Sequence, residues 1–302
     1  MKPVIKFVLP LLLITLIVLL FVGGPGHYSS RIYRSVWDLG HILLFITFTV
    51  YLFELSSIRN KTLWHQLLLV FAVVSFLAIA TELAQAGTSR TPELLDVRRD
   101  LVGALVGTVI MLTRRGVRGR IYPTFFSAAV LLLIVEFTPL AKILVDEYAI
   151  LQSDTVLSNL EGMYEDTRWK GNSSYQLSTD HVIEGKQSLK VVFNTDYYSG
   201  ITLKYMHRDW RGKSKLHMSV YNPDEDIFSA NLRINDYPHL KDNIYNDRYN
   251  EIIKLTKGWN HLVFSVDDIK NAPAERMNNI HNMQSIGIFV INLSSPKTIY
   301  ID

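Results

Sequence analysis

The chain changes character near its middle. Over the first 150 residues the apolar positions fall in long runs, near 3–22, 36–55, 63–83, 99–113 and 122–145. A bilayer core about 30 Å thick takes roughly 20 apolar residues in a helix, so these runs predict about five transmembrane helices. The fourth is the shortest and is Gly-rich. Its Gly103 and Gly107 stand four apart, either a small-xxx-small pair that lets another helix approach closely or two ordinary membrane glycines. From about residue 157 the runs give way to short stretches in which every second side chain is apolar, as in Ile201, Leu203 and Tyr205, and in Leu216, Met218 and Val220. That period, with turn signals at Asn222-Pro223-Asp224, Lys257-Gly258 and Ser294-Ser295-Pro296, predicts short strands. They are expected at 157–164, 174–182, 187–194, 200–207, 214–221, 227–236, 249–256, 259–266, 284–293 and 297–302. The expected architecture is therefore multi-domain: an α-helical transmembrane bundle over 1–145, a linker over 146–156, and an all-β jelly-roll sandwich over 157–302.

Charge adds direction to this picture. Residues 1–150 carry 14 Lys and Arg against 9 Asp and Glu, whereas 151–302 carry 17 against 19. The positive excess sits in short loops beside the apolar runs, where it sets membrane orientation and is no nucleic-acid footprint. With the N-terminus inside, Lys2, Lys6, Arg59, Lys61, Arg114, Arg115, Arg118 and Arg120 face the cytoplasm. Arg31, Arg34, Arg90, Arg98 and Arg99 then face the other side, and five crossings deliver 146–302 to the extracytoplasmic side of the cytoplasmic (inner) membrane. Pro123 suits the first turn of the helix after the Arg114–Arg120 loop. The first run is built like a signal peptide, but no small-x-small cleavage site precedes Gly23-Gly24-Pro25-Gly26, so it is expected to stay as a helix. Cysteine is absent, which excludes disulfides, Cys-ligated zinc and thiol catalysis.

Under this topology the polar residues that interrupt the apolar runs gather at the outer side. Asp38 and His41, Glu82 and Gln85, and Asp96 and Asp100 each share a helical face. Arg90, Arg98 and Arg99 lie in the same outer loop, and Glu136 lies toward the outer end of the fifth run. Either these groups pair in the headgroup layer to hold the helices together, or they line an outward polar pocket for a lipid or glycolipid headgroup. The order Asp38-Leu-Gly-His41, Thr81-Glu82-Leu-Ala-Gln85, Arg90, Asp96-x-x-x-Asp100-x-x-Gly103-x-x-x-Gly107 resembles the VanZ-like family of small bacterial membrane proteins across about 36–113. The resemblance implies an envelope protein with no established catalytic chemistry, from a family with a member associated with low-level glycopeptide antibiotic resistance. Leu39 and Asp100 depart from the family's usual Lys and Asn, which alters the charge of the pocket.

In the second half, Leu160-Glu161, the segment Glu184-Gly-Lys-Gln-Ser-Leu-Lys-Val191, Trp210, Tyr221-Asn-Pro223, Gly258-Trp-Asn-His261 and Tyr300-Ile-Asp302 resemble a carbohydrate-binding module of the galactose-binding-like jelly-roll type. That resemblance implies a structural calcium held by Glu161, Glu184 and Asp302, although the same carboxylates are equally able to cap turns. Sugar rings stack on aromatic faces beside hydrogen-bonding groups. The loop residues Tyr197, Tyr198, Tyr237, Tyr245 and Tyr249, with Asp236, His239, Asp247 and Arg248, are the candidates, against the alternative of ordinary surface aromatics. Trp169, Trp210 and Trp259 are expected in the core. No GxSxG, HExxH, P-loop or GxGxxG pattern occurs, and His207, His217, His239, His261 and His281 lack metal-ligand spacing to one another. The leading expectation is a non-catalytic envelope protein that binds a glycan. An enzyme or transporter acting on a lipid-linked sugar, and an anchor that contacts protein, stay open beside it.

Overall fold

The computed structural model describes residues 3–21, 24–26, 29–86, 94–242 and 244–302. The chain divides into two compact units, 1–144 and 145–302.

The first unit is helical: α1 (Pro3–Phe21), α2 (Arg31–Asp38), α3 (Gly40–Glu54), α4 (Ser56–Arg59), α5 (Leu63–Ala86), α6 (Leu94–Arg114) and α7 (Ile121–Gln152). Every predicted run is helical, but among the described residues three segments are long and apolar enough to cross a membrane: Arg31–Glu54, Leu63–Ala84 and Ile121–Gln152. Phe7–Leu19 forms a shorter apolar stretch, and the first turns of α6 carry Asp96, Arg98, Arg99 and Asp100. The second run is two helices: Ser30 caps α2 by accepting from the Tyr33 amide, and the chain turns at Leu39 before α3. Helix α7 continues to Gln152, so 146–152 is helix where a linker was expected, and Pro123 sits in its first turn. Thr47, Thr108, Thr113 and Thr138 donate to carbonyls four residues back, which satisfies their hydroxyls in apolar surroundings.

Helices α3 and α6 run parallel, as paired contacts at 41/100, 45/103 and 49/107 show. A Cβ on Gly103 would stand 2.6 Å from the Ile42 carbonyl oxygen and 2.8 Å from Phe45 Cβ; one on Gly107 would stand 2.8 Å from Thr49 Cβ. The two glycines are therefore the seam on which the helices meet. Gly103→Val or Gly107→Val is expected to force α3 and α6 apart at a cost of about 1–3 kcal/mol each, read as a lower melting temperature of the protein in detergent.

The second unit is a sandwich of two five-stranded antiparallel sheets. The strands are β1 (Trp169–Gly171), β2 (Ser174–Ser178), β3 (Ser188–Phe193), β4 (Tyr198–Leu203), β5 (Lys215–Asn222), β6 (Phe228–Asp236), β7 (Tyr249–Leu255), β8 (Gly258–Ser265), β9 (Met283–Ile291) and β10 (Lys297–Ile301). One sheet has the order β1-β4-β9-β6-β7, the other β2-β3-β10-β5-β8. Short helices α8 (His239–Asp242) and α9 (Val266–Asn271) follow β6 and β8. Alternation sets the faces: Phe228, Ala230, Leu232 and Ile234 of β6 are buried against Leu189, Val191, Val220 and Ile299 of the other sheet, which leaves Asn231 and Arg233 on the outer face. The expected strand at 157–164 is absent. Leu160 turns inward there with φ +60° and joins the core, and a 3-10 turn (Glu165–Arg168) precedes β1. Within this unit Arg168 donates to Asp146 on the last turns of α7 at 2.8 Å and to Glu165 at 2.8 Å. Burial pushes the Glu165 carboxyl up despite that arginine.

Candidate functional site

In the helical unit, five of the sequence-predicted polar residues, Asp38, His41, Asp96, Asp100 and Glu136, form one connected cluster with Arg98 and Arg99. His41 and Asp100 meet Nδ1 to Oδ1 at 3.0 Å, and His41 Nε2 lies 3.7 Å from Asp96. Arg99 binds Asp96, stands 3.7 Å from Asp38 and reaches to 3.6 Å of Glu136. Arg98 grips Glu136 through two contacts of 2.6 and 3.2 Å. His41, Glu82, Asp100 and Glu136 are all buried. Arg90 and the Gln85 side chain lie outside the described residues. Arg98 and Arg99, read from the sequence as loop counter-charges, stand in the first turns of α6. At the opposite end of α3 and α6, Arg115 donates to the Gln66 side chain and to the Phe53 carbonyl, and Gln66 donates to the Arg59 and Lys61 carbonyls, tying the two basic loops together.

In the sandwich, the predicted calcium ligands serve the backbone. Glu161 Oε1 accepts from the Lys186 and Gln187 amides at 2.6 and 2.9 Å. Asp302 Oδ2 accepts from Ile183 and Glu184 at 2.6 and 3.3 Å. Gly185 sits at φ +79° with space for no side chain, because a Cβ would meet Glu161 Oε1 at 2.5 Å. Glu184 is exposed, and among the described residues no three His, Cys, Asp or Glu side chains are grouped to hold a metal. In this arrangement Glu161 and Asp302 cap the 183–187 loop, the alternative that the sequence left open beside calcium. Addition of calcium or EDTA is expected to leave the melting temperature of the protein unchanged, and a shift of several degrees on chelation would restore the metal.

Of the predicted sugar-binding residues, Asp236, His239 and Asp247 belong to a clamp around Arg276. Its guanidinium contacts both Asp236 oxygens at 2.6 and 2.8 Å and both Asp247 oxygens at 2.5 and 2.7 Å. Asp236, fully buried, also accepts from the His239 and Asn279 amides. His239 is buried with Nδ1 3.5 Å from Asp247, and burial together with the nearby Arg248 charge pushes its pKa below the ordinary histidine value. Bonds to Asp236 and Asp247 raise the Arg276 pKa, and bonds from Arg276 hold Asp247 low. These groups are bonded to one another through Arg276, which ties Asp236 at the end of β6 to Asp247 just before β7. Tyr249 is half-buried against the core, bonded to Glu251, while Tyr197 and Tyr237 are exposed in turns without joining the others.

Tyr198, Tyr245 and Arg248 do converge, on the outer face of the β1-β4-β9-β6-β7 sheet. Tyr198 stacks on Phe289 with ring centroids 5.1 Å apart, and its hydroxyl lies over Gly200, where a Cβ would stand 3.1 Å away. Arg233 lies across Gly287 against Thr202, its guanidinium 5.6 Å from the Phe289 ring centre. Asn250 is the cross-strand partner of Arg233 and accepts from Arg248 Nε at 2.9 Å; Arg248 in turn lies 5.4 Å from the exposed Tyr245 ring. Asn231 occupies the neighbouring position between Phe289 and Ile252. The sequence reading missed Arg233, Asn231, Asn250, Phe289 and Arg276.

The other sheet has an aromatic outer face of its own. Lys190, Tyr300, Tyr221 and Trp259 stand abreast on four adjacent strands, with His181 stacked on Tyr221 at 3.7 Å. Trp259 is thus half-exposed and outside the core, whereas Trp169 and Trp210 lie in it as expected.

No family model matches the chain, and no curated protein matches it. Solved structures similar to it include a family 11 carbohydrate-binding module from Clostridium thermocellum in complex with a β-1,3-1,4-mixed-linked tetrasaccharide, at 15% identity over 48% of this chain and 90% of that one, with a TM-score of 0.36. An exo-β-agarase aligns at 14% identity over 50% of this chain and 24% of its own, with a TM-score of 0.38. The glycoside hydrolase domain of Endo-D from Streptococcus pneumoniae aligns at 9% identity over 44% and 20%, with a TM-score of 0.32. At these values the functional reading rests on the chain's own side chains.

Proposed function

We propose that this is a membrane-integrated, non-catalytic cell-envelope protein that presents a glycan-binding β-sandwich on the extracytoplasmic side. The observation that carries the reading is the outer face of the β1-β4-β9-β6-β7 sheet, where Tyr198 on Phe289 offers an aromatic surface ringed by Asn231, Asn250, Thr202 and Arg233. Stacking with adjacent polar groups is the arrangement that pyranose rings require. Three long apolar helices support membrane integration. The basic loops tied at one end of α3 and α6, with the acidic cluster at the other, support an orientation with the N-terminus inside. The gathering of Asp38, His41, Asp96 and Asp100 into one cluster supports the VanZ-like reading of the helical half, with an outward polar pocket for a lipid headgroup.

The test is retention of the full-length protein, in detergent, by a panel of immobilised polysaccharides. Wild type is expected to be retained, Tyr198→Ala to bind about tenfold more weakly, in line with ~1.4 kcal/mol for a lost stacking contact, and Tyr221→Ala on the opposite sheet to match wild type. Retention by no polymer, or an equal loss in both variants, would overturn the assignment.

A further inference from the structure

The sheet face that carries the proposed function holds two guanidinium groups that, among the described residues, meet no carboxylate. Arg233 donates to the Thr202 hydroxyl at 3.4 Å, and its Nε is buried with no hydrogen-bond partner. Arg248 donates to the Asn250 side chain. Among the described residues neither forms an ion pair with a carboxylate. Elsewhere in the sandwich the arrangement is different: Arg168 has Asp146 and Glu165, Arg211 has Asp209, and Arg276 has Asp236 and Asp247. Among the described residues Arg208 also has no carboxylate partner, but it is exposed to water; the two half-buried exceptions, Arg233 and Arg248, are both on one face, linked through Asn250, which sits opposite Arg233 in the strand register and bonds to Arg248. They are close enough that the Arg233 charge helps burial to lower the Arg248 pKa. Each guanidinium lies over an aromatic ring, Phe289 or Tyr245, so its plane is held by a neighbour that satisfies no N–H. Two half-buried like charges repel one another at a cost that an oxyanion between them removes, and the planar fork of Arg matches carboxylate and phosphate oxygens in pairs.

Resting on the glycan-binding reading, we infer that the ligand of this face is an anionic glycan, one bearing carboxylate or phosphodiester groups, gripped jointly by Arg233 and Arg248. The uncharged part of the glycan lies on Tyr198, whose ring covers the buried Phe289, while the oxyanion enters between the two arginines.

The experiment measures binding of the full-length protein in detergent to four polymers: polygalacturonate, its methyl ester, poly(glycerol phosphate) and a neutral mixed-linkage β-glucan. An acidic polymer is expected to bind at least about tenfold more tightly than an uncharged one, the scale of one charge-assisted hydrogen bond, and to lose that margin in Arg233→Gln and Arg248→Gln. Arg233→Lys and Arg248→Lys should retain part of it, and added NaCl should erode it. Melting temperatures near wild type establish that the Gln variants are folded. Preference for polygalacturonate or for poly(glycerol phosphate) tells which oxyanion is taken. If acid and ester bind alike, or the Gln variants weaken charged and neutral polymers equally, the anionic ligand is ruled out. Retention of the β-glucan alone, lost in Tyr198→Ala, would sink this inference and leave the glycan-binding reading intact; retention of none would sink both.

Discussion

Arg276→Met is expected to destabilise the β-sandwich by about 3–5 kcal/mol, the cost of leaving one partner of a buried ion pair uncompensated. The reason lies with Asp236, which is fully buried at the end of β6 and meets Arg276 through both oxygens. Two backbone amides still donate to that carboxylate in the variant, but among the described residues no other cation stands beside it. Asp247 is more exposed and recovers water once the arginine is gone, so Asp247→Asn should cost far less. The loss should also spread to the ligand face: Asp247 adjoins Arg248, and without the clamp the segment that carries Tyr245 and Arg248 loses its anchor. Thermal unfolding, with hydrogen exchange over 237–249, reads both effects. A melting temperature within a degree or two of wild type would contradict the description of the clamp.

His41→Leu is the second large effect, expected to cost the helical unit about 3–5 kcal/mol. Asp100 is fully buried on α6; its Oδ1 meets His41 and its Oδ2 has no hydrogen-bond partner. Replacing the imidazole by an alkyl group strands that carboxylate beside Asp96 in apolar surroundings. His41→Leu combined with Asp100→Leu removes both polar groups, and the pair should recover most of the stability. Size-exclusion profiles in detergent after stepwise heating give the comparison. If the double variant is no better than the single one, His41 and Asp100 are not coupled.

Nine of the ten strand positions were legible because period-2 alternation and turn residues agree over 174–302. The strand at 157–164 was misread because Leu157 and Leu160 are apolar for a different reason: they pack under the sheet edge from an irregular segment. Strand β1 was missed since three residues carry no period. The start of α6 was hidden by its own charges. Asp96, Arg98, Arg99 and Asp100 read as loop by hydropathy, yet they pair with each other and with α3 and α7, so the helix extends to Leu94. The polar cluster itself was visible as spacing, because residues three or four apart share a helical face.

The sandwich site was less visible. Loop tyrosines are easy to list, but whether they meet depends on strand order, which one sequence does not carry. The signal that was available lay inside a strand: with Ala230, Leu232 and Ile234 inward, Asn231 and Arg233 must point outward, and a guanidinium at the centre of a sheet face asks for a partner. In β9 the apolar residues occupy both parities, which marks a central strand covered on both faces and would have set Phe289 on the outer one.

Sidedness underlies the whole functional account, and an epitope fused after Asp302 measures it most directly. Protease added to intact spheroplasts is expected to remove that epitope and to spare it in inverted vesicles. Cleavage in the inverted vesicles alone would place the sandwich in the cytoplasm, and a role at the cell envelope's outer glycans would have to be given up.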